Sequence, residues 1–191
     1  MSKLIIQQDV EIAEILTGFE TKNSYSINDE QGNKLMYAFE ESGFFNAQFL
    51  GGHRHLKLNI LDENKNALLS IDRPFYFFKS KVDVLLPDGE LFGKIQQTKF
   101  IGTRSFDFID TQGNLLFTCV SKIPHIWTFN IFQNEQQIAQ ILKKWVGTGI
   151  EVFTDADNFL IDLQDIQDDS LKYAVIAMAF IVDLTCFERK S

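Results

Sequence analysis

The densest group of chemically capable side chains in this 191-residue chain is the segment 155–165, Asp-Ala-Asp-Asn-Phe-Leu-Ile-Asp-Leu-Gln-Asp. Asp155, Asp157, Asn158, Asp162 and Asp165 put several oxygen donors in one short stretch, and a hard cation is held by about six to eight such oxygens. The spacing is not that of an EF-hand: the sixth position falls on Leu160 instead of Gly, and the twelfth on Ile166 instead of Glu. The same residue types make ordinary turns, because Asp and Asn side chains hydrogen-bond nearby backbone. A second feature is His53-Arg54-His55 with Lys57, the most basic patch of the chain. A phosphate or lipid headgroup contact is one reading, and a solvated strand edge the favoured one. The third is Asp183, a carboxylate inside a long apolar stretch. Burial there demands a hydrogen-bonding partner or a raised pKa, and a paired structural group is the expectation.

Other chemistry is thin. The His and Cys residues have no zinc-ligand spacing, and no nucleophile elbow, phosphate loop or dinucleotide-binding glycine pattern occurs. Hydrolase and nucleotide-enzyme readings have no residues to stand on, so no catalytic constellation is expected.

The elements that must carry these residues come from a repeat. Tyr25-Ser-Ile27 leads through Asp29 to Asn33 into Leu35-Met-Tyr37, and Leu58-Asn-Ile60 through Asp62 to Asn66 into Leu68 to Ile71. Val82-Asp-Val84, Phe106-Asp-Phe108 and Phe129-Asn-Ile131 begin three further units of the same form. Each is an apolar-polar-apolar alternation, a turn of Asp, Asn and Gly, then a second apolar run, which is the signature of a β-hairpin. Starts at 58, 82, 106 and 129 step by 24, 24 and 23. Another such step reaches Val152, where Glu151-Val-Phe153, the turn Asp155 to Asn158 and Phe159-Leu-Ile161 make a sixth. About twelve strands exceed what an open twisted sheet carries, so closure into a barrel or division into a sandwich follows. Residues 4–18 show no clean period and allow a short helix or an edge strand. The stretch Glu40 to His55 is the largest insertion in the array, and such loops carry function more often than core strands.

Leu171 to Phe187 is apolar on every face, uncharged from Tyr173 to Val182, and so belongs inside a large core or a membrane. Asp169 and Ser170 are the N-cap candidates. At about 1.5 Å per residue it spans roughly 26 Å, close to a strand of about eight residues. A helix along the axis, with Ala174, Ala177 and Ala179 permitting close approach, would plug a twelve-stranded barrel. Tyr173, Ile176, Phe180 and Asp183 mark the faces of this central helix. A membrane span wants about twenty apolar residues; this stretch is shorter and contains Lys172 and Asp183.

The net charge of −8 argues against nucleic acid, which requires a basic face. Cys119 and Cys186, far apart in apolar settings, read as buried thiols of a reducing compartment. The N-terminus lacks a secretory signal core. The expectation is one cytoplasmic domain over 1–191, not secreted.

Several separated motifs give the chain a resemblance to the phospholipid scramblase family from about Leu4 to Glu188. They are Leu16-Thr-Gly-Phe-Glu-Thr21 with Asn23 and Tyr25, Ile71-Asp-Arg-Pro74, Trp145 with Gly147, and Phe153-Thr-Asp-Ala-Asp-Asn-Phe159. The last matches the family signature unbroken. The resemblance implies a mainly β fold like the Tubby C-terminal domain, a closed antiparallel barrel of about twelve strands around a hydrophobic C-terminal helix. It implies calcium-dependent, bidirectional movement of phospholipids between leaflets. The alternative it implies is a soluble barrel that binds lipids, phosphoinositides or a protein partner without transport. Segment 155–165 corresponds to the family's proposed calcium site, with Asp155, Asp157, Asn158, Asp162 and Asp165 as donors. The family's acylated cysteine segment corresponds to Phe75-Tyr76-Phe77-Phe78, which holds no Cys; these rings are expected to insert at the membrane interface or to fill an ordinary strand core. His53 and Arg54 are the headgroup candidates. Of the family's basic targeting stretch, only Lys143-Lys144-Trp145 remains.

Overall fold

A computed structural model describes residues 3–9, 23–41, 55–76, 78–125, 127–143, 158–164 and 166–187. Twelve strands follow one another: β1 (Lys3–Gln8), β2 (Ser24–Asn28), β3 (Lys34–Glu40), β4 (Leu56–Asp62), β5 (Ala67–Arg73) and β6 (Lys81–Leu85), then β7 (Leu91–Lys99), β8 (Arg104–Ile109), β9 (Leu115–Ser121), β10 (Thr128–Gln133), β11 (Gln136–Leu142) and β12 (Phe159–Asp162). Each pairs antiparallel with its sequence neighbour, and β12 pairs with β1, so the sheet closes into a barrel. Alternation is strict where it matters. Leu56, Leu58 and Ile60 are buried while Lys57 and Asn59 between them are half-buried, which fixes register because a one-residue slip would invert every side chain.

The five hairpins from β2 to β11 share one construction. A register shift precedes each turn, between Ile27 and Asn28, Ile60 and Leu61, Val84 and Leu85, Phe108 and Ile109, and Ile131 and Phe132. Left-handed backbone follows at Gly32, Lys65, Gly89, Gly113 and the pair Asn134-Glu135. This is the turn-plus-bulge that joins right-twisted strands. The sixth hairpin was composed differently than the repeat suggests. Residues 151–153 and Asp155 to Asp157 lie outside the described residues, and both edges of β12 are taken, by β1 and β11. The twelfth strand is thus β1, in the stretch whose periodicity decided nothing. A short strand with Gln7 and Gln8 in its outer half gives a weak alternation, and only the open barrel edge selects its conformation.

The helix α1 (Asp169–Cys186) runs through the barrel. Its N-cap is Asp168, whose side chain accepts from the Ser170 amide, one residue before the expected caps. All eleven residues from Ala174 to Leu184 are buried. No stripe is spared, because a ring of about twelve strands leaves an interior wider than its own side chains fill. Ala174, Ala177 and Ala179 sit at 1% exposure or less where strands approach. Phe180 packs edge-on to Tyr25 at 5.4 Å and to Phe159 at 5.8 Å. Among the described residues no helix is long and apolar enough to cross a membrane.

Candidate functional site

The connections alternate between the two ends of the barrel. One end collects the Asp- and Asn-rich turns and the N-terminus of α1. The other collects the β5–β6, β7–β8 and β9–β10 loops and the helix C-terminus.

At the loop end three strand cations close on the helix. Arg73, fully buried at the end of β5, reaches Thr185 Oγ1 at 3.4 Å. Arg104, at the start of β8, donates to the Cys186 carbonyl at 3.4 Å. Lys143, just after β11, pairs with Asp183, both side chains largely buried. The last turn of α1 carries no basic residue of its own; the strands supply the positive charge that a helix C-terminus favours. Asp183 is therefore a paired carboxylate, as a buried charge requires. Lys143 cannot serve a targeting stretch, since it faces inward and lies over the rings of Phe159 and Phe187 at 5.6 and 5.7 Å. Lys144, Trp145 and Gly147 are outside the described residues. Burial pushes the Cys186 thiol up to about 11 and the Cys119 thiol well above its ordinary range.

The aromatic run occupies the β5–β6 loop, not a strand. Pro74 and Phe75 are exposed, Tyr76 is half-buried beneath the Arg73 guanidinium at 5.6 Å, and Phe78 is 78% exposed. Phe77 is outside the described residues. Arg73 was unreadable as a helix partner: its sequence context, before a proline at a strand end, announces only a boundary.

The acidic segment is described only in part. Asp155, Asp157 and Asp165 lie outside the described residues. Asn158 precedes β12, and Asp162 ends it, with Oδ1 accepting the Gln164 amide at 3.0 Å. Asn158 and Asp162 do not by themselves make a calcium site, and among the described residues no three acidic, His or Cys side chains gather as one. The turns in register with this segment show another use of the same chemistry. Asp29, Asp62 and Asp110 each accept from the backbone and side chain of the Asn four residues on.

Of the basic patch, His53 and Arg54 are outside the described residues. His55 Nε2 meets Asp72 at 2.9 Å and Lys57 meets Glu41 at 2.9 Å, so the described members face carboxylates. At the opposite end, a cleft of about 380 Å³ lies beside the start of α1. Its lining includes Leu4, Leu35, Leu68 and Ile176, with Asp62, Glu63 and Asp169 outnumbering the single cation Lys172, itself paired with Asp169. Those carboxylates disfavour a phosphate headgroup there.

A closed antiparallel barrel threaded by an apolar helix defines a Tubby-like fold. A family profile described as Scramblase matches residues 1–189, and the chain belongs to that family. It is 28% identical to phospholipid scramblase 1 of Mus musculus over 99% of this chain and 62% of that protein. It is 26% identical to phospholipid scramblase 2 of Bos taurus over 98% of this chain and 69% of that protein. A third relative is altered inheritance rate of mitochondria protein 25 of Saccharomyces cerevisiae, 25% identical over 83% of this chain and 57% of that one. The chain thus spans less than two thirds of the mouse protein's length. An X-ray structure of an Arabidopsis thaliana protein shares the fold, with a TM-score of 0.54 at 12% identity over 95% of this chain and 92% of that one.

Proposed function

We propose that this chain works at the surface of phospholipid membranes, as a barrel that binds lipid from outside the bilayer. The observation that carries this reading is the contrast between two apolar segments. The central helix is enclosed by strands and has its carboxylate paired, whereas Phe75 and Phe78 project from the β5–β6 loop. Phe side chains enter the boundary between headgroups and acyl chains, and here they stand where relatives by resemblance carry acylated cysteines. Replacing Phe77 and Phe78 by Ser is expected to weaken liposome sedimentation several-fold. Unchanged sedimentation would overturn the reading.

Family membership favours a second reading, calcium-dependent bidirectional movement of phospholipids between leaflets, with Asp155, Asp157, Asn158, Asp162 and Asp165 as oxygen donors. Because the helix is occupied in the core, such movement would proceed along the barrel's outer surface or require the barrel to open. A dithionite lipid-flip assay on proteoliposomes, with and without calcium, separates transport from binding alone. Asp157→Ala should abolish calcium heat in calorimetry; heat equal to that of the unaltered chain removes calcium from these residues.

A further inference from the structure

Six of the seven large apolar side chains exposed among the described residues stand at the loop end of the barrel: Phe75, Phe78, Phe100, Ile101, Ile123 and Trp127. Only Leu115 lies at the other end. They come from three successive loops, β5–β6, β7–β8 and β9–β10. Register puts these loops side by side, since Lys81 pairs with Gln96, Lys99 with Ser105 and Arg104 with Ser121. Six neighbouring strands, ~4.8 Å apart, give the loops an arc of roughly 24 Å.

Charge also sets these three loops apart. Segments 74–81, 99–104 and 122–128 contain Lys79, Lys81, Lys99, Arg104 and Lys122 and not one Asp or Glu, on a chain whose net charge is −8. All four lysines are exposed. The turn end carries the opposite sign, with Asp29, Glu30, Asp62, Glu63, Asp88 and Glu90 among its carboxylates. Ile101 and Ile123, 81% and 67% exposed, sit at loop tips where burial of apolar surface is otherwise unmet. Patches of this size and grouping mark an interaction surface.

We infer that the three loops form one docking face for an anionic phospholipid bilayer. Phe78, Phe100, Ile101 and Ile123 enter the interface, Lys79, Lys81, Lys99 and Lys122 meet lipid phosphates and carboxylates, and the acidic turn end points away. The occupant follows from complementarity: apolar tips ringed by lysines match a surface that is anionic outside and hydrocarbon within. The inference rests on the membrane reading above and extends it to loops outside the aromatic run.

The test uses the full chain with vesicles of phosphatidylcholine alone and of phosphatidylcholine with phosphatidylserine. Wild type should sediment with the mixed vesicles more strongly, and added salt should weaken it. The triple variant Lys79→Gln/Lys99→Gln/Lys122→Gln should lose about two orders of magnitude in affinity, from ~1 kcal/mol per lysine and ~1.4 kcal/mol per tenfold. Ile101→Ser/Ile123→Ser should lose about tenfold on both vesicle types, and Leu115→Ser nothing. Circular dichroism matching wild type establishes that each exposed substitution leaves the barrel folded. Wild type that binds neither vesicle overturns the membrane reading itself. Binding that Phe78→Ser abolishes and the loop β7–β8 and β9–β10 variants leave unchanged overturns the three-loop face alone. So does capture equally strong on a soluble polyanion such as heparin, with the Ile variants intact, since the apolar tips would then have no part.

Discussion

Asp183 and Lys143 meet where the helix leaves the barrel, and each removes from the core a charge that would otherwise be unpaired. Removing one partner of such a pair leaves the other buried alone, at a cost of about 3–5 kcal/mol, while replacing both can be nearly neutral. Asp183→Ala should therefore lower unfolding stability in urea by that amount, and Asp183→Ala/Lys143→Met should recover most of it. A double variant as unstable as the single one would show that Asp183 supports the fold by some other contact. Lys143 also lies over Phe159 and Phe187, so methionine keeps the packing while the charge goes. The pairing was foreseeable from Asp183; its partner was not, because Lys143 is forty residues away and looks like a surface lysine.

The hairpin turns are the elements whose construction the sequence states most fully. Asp29, Asp62 and Asp110 are each held below the ordinary carboxylate value of 3.8, first by the side-chain hydrogen bond from Asn33, Asn66 and Asn114. A carboxylate lowered in the folded state stabilises it fully above the unfolded value, and that stabilisation disappears as pH falls through the folded one. Melting temperature should accordingly stay level near neutrality and decline once the pH drops below 3.8, the unperturbed value. In Asn114→Ala an NMR titration should find the Asp110 carboxylate shifted back up. Gly113 stands at φ 89° with open space around it, so Gly113→Ala should cost about 1 kcal/mol through backbone strain alone. Gly93 is different. A Cβ there would lie 2.5 Å from the Phe108 ring, which is buried and stacked on Phe117 at 5.2 Å. Thermal unfolding of Gly93→Ala should therefore show a larger loss, about 1–3 kcal/mol.

For the whole molecule the decisive feature is that the helix is enclosed by the barrel from Ala174 to Leu184. Strands from every part of the chain then share a single core. Unfolding followed by far-ultraviolet dichroism and by tryptophan fluorescence should give coincident transitions; separated midpoints would mean that helix and barrel come apart independently. Among the described residues the three loops β5–β6, β7–β8 and β9–β10 form a basic, apolar face opposite the acidic turn end, and the membrane attachment proposed for it need not expose the helix.

By itself the sequence determined the five regular hairpins and the all-apolar helix, because period-two alternation, turn residues and an apolar run are local signals; it left barrel or sandwich open and counted a sixth hairpin whose place β1 takes. It named Asp183 for the same reason, whereas the aromatic run stood out only through the family resemblance, which left it open between a membrane-interface segment and a strand core. Which strand closes the ring, that Arg73, Arg104 and Lys143 converge on the helix end, and that three loops share one face were decided only by the tertiary structure. Those facts depend on which residues closure brings together across 40 to 112 positions of chain, and no spacing along the sequence encodes them.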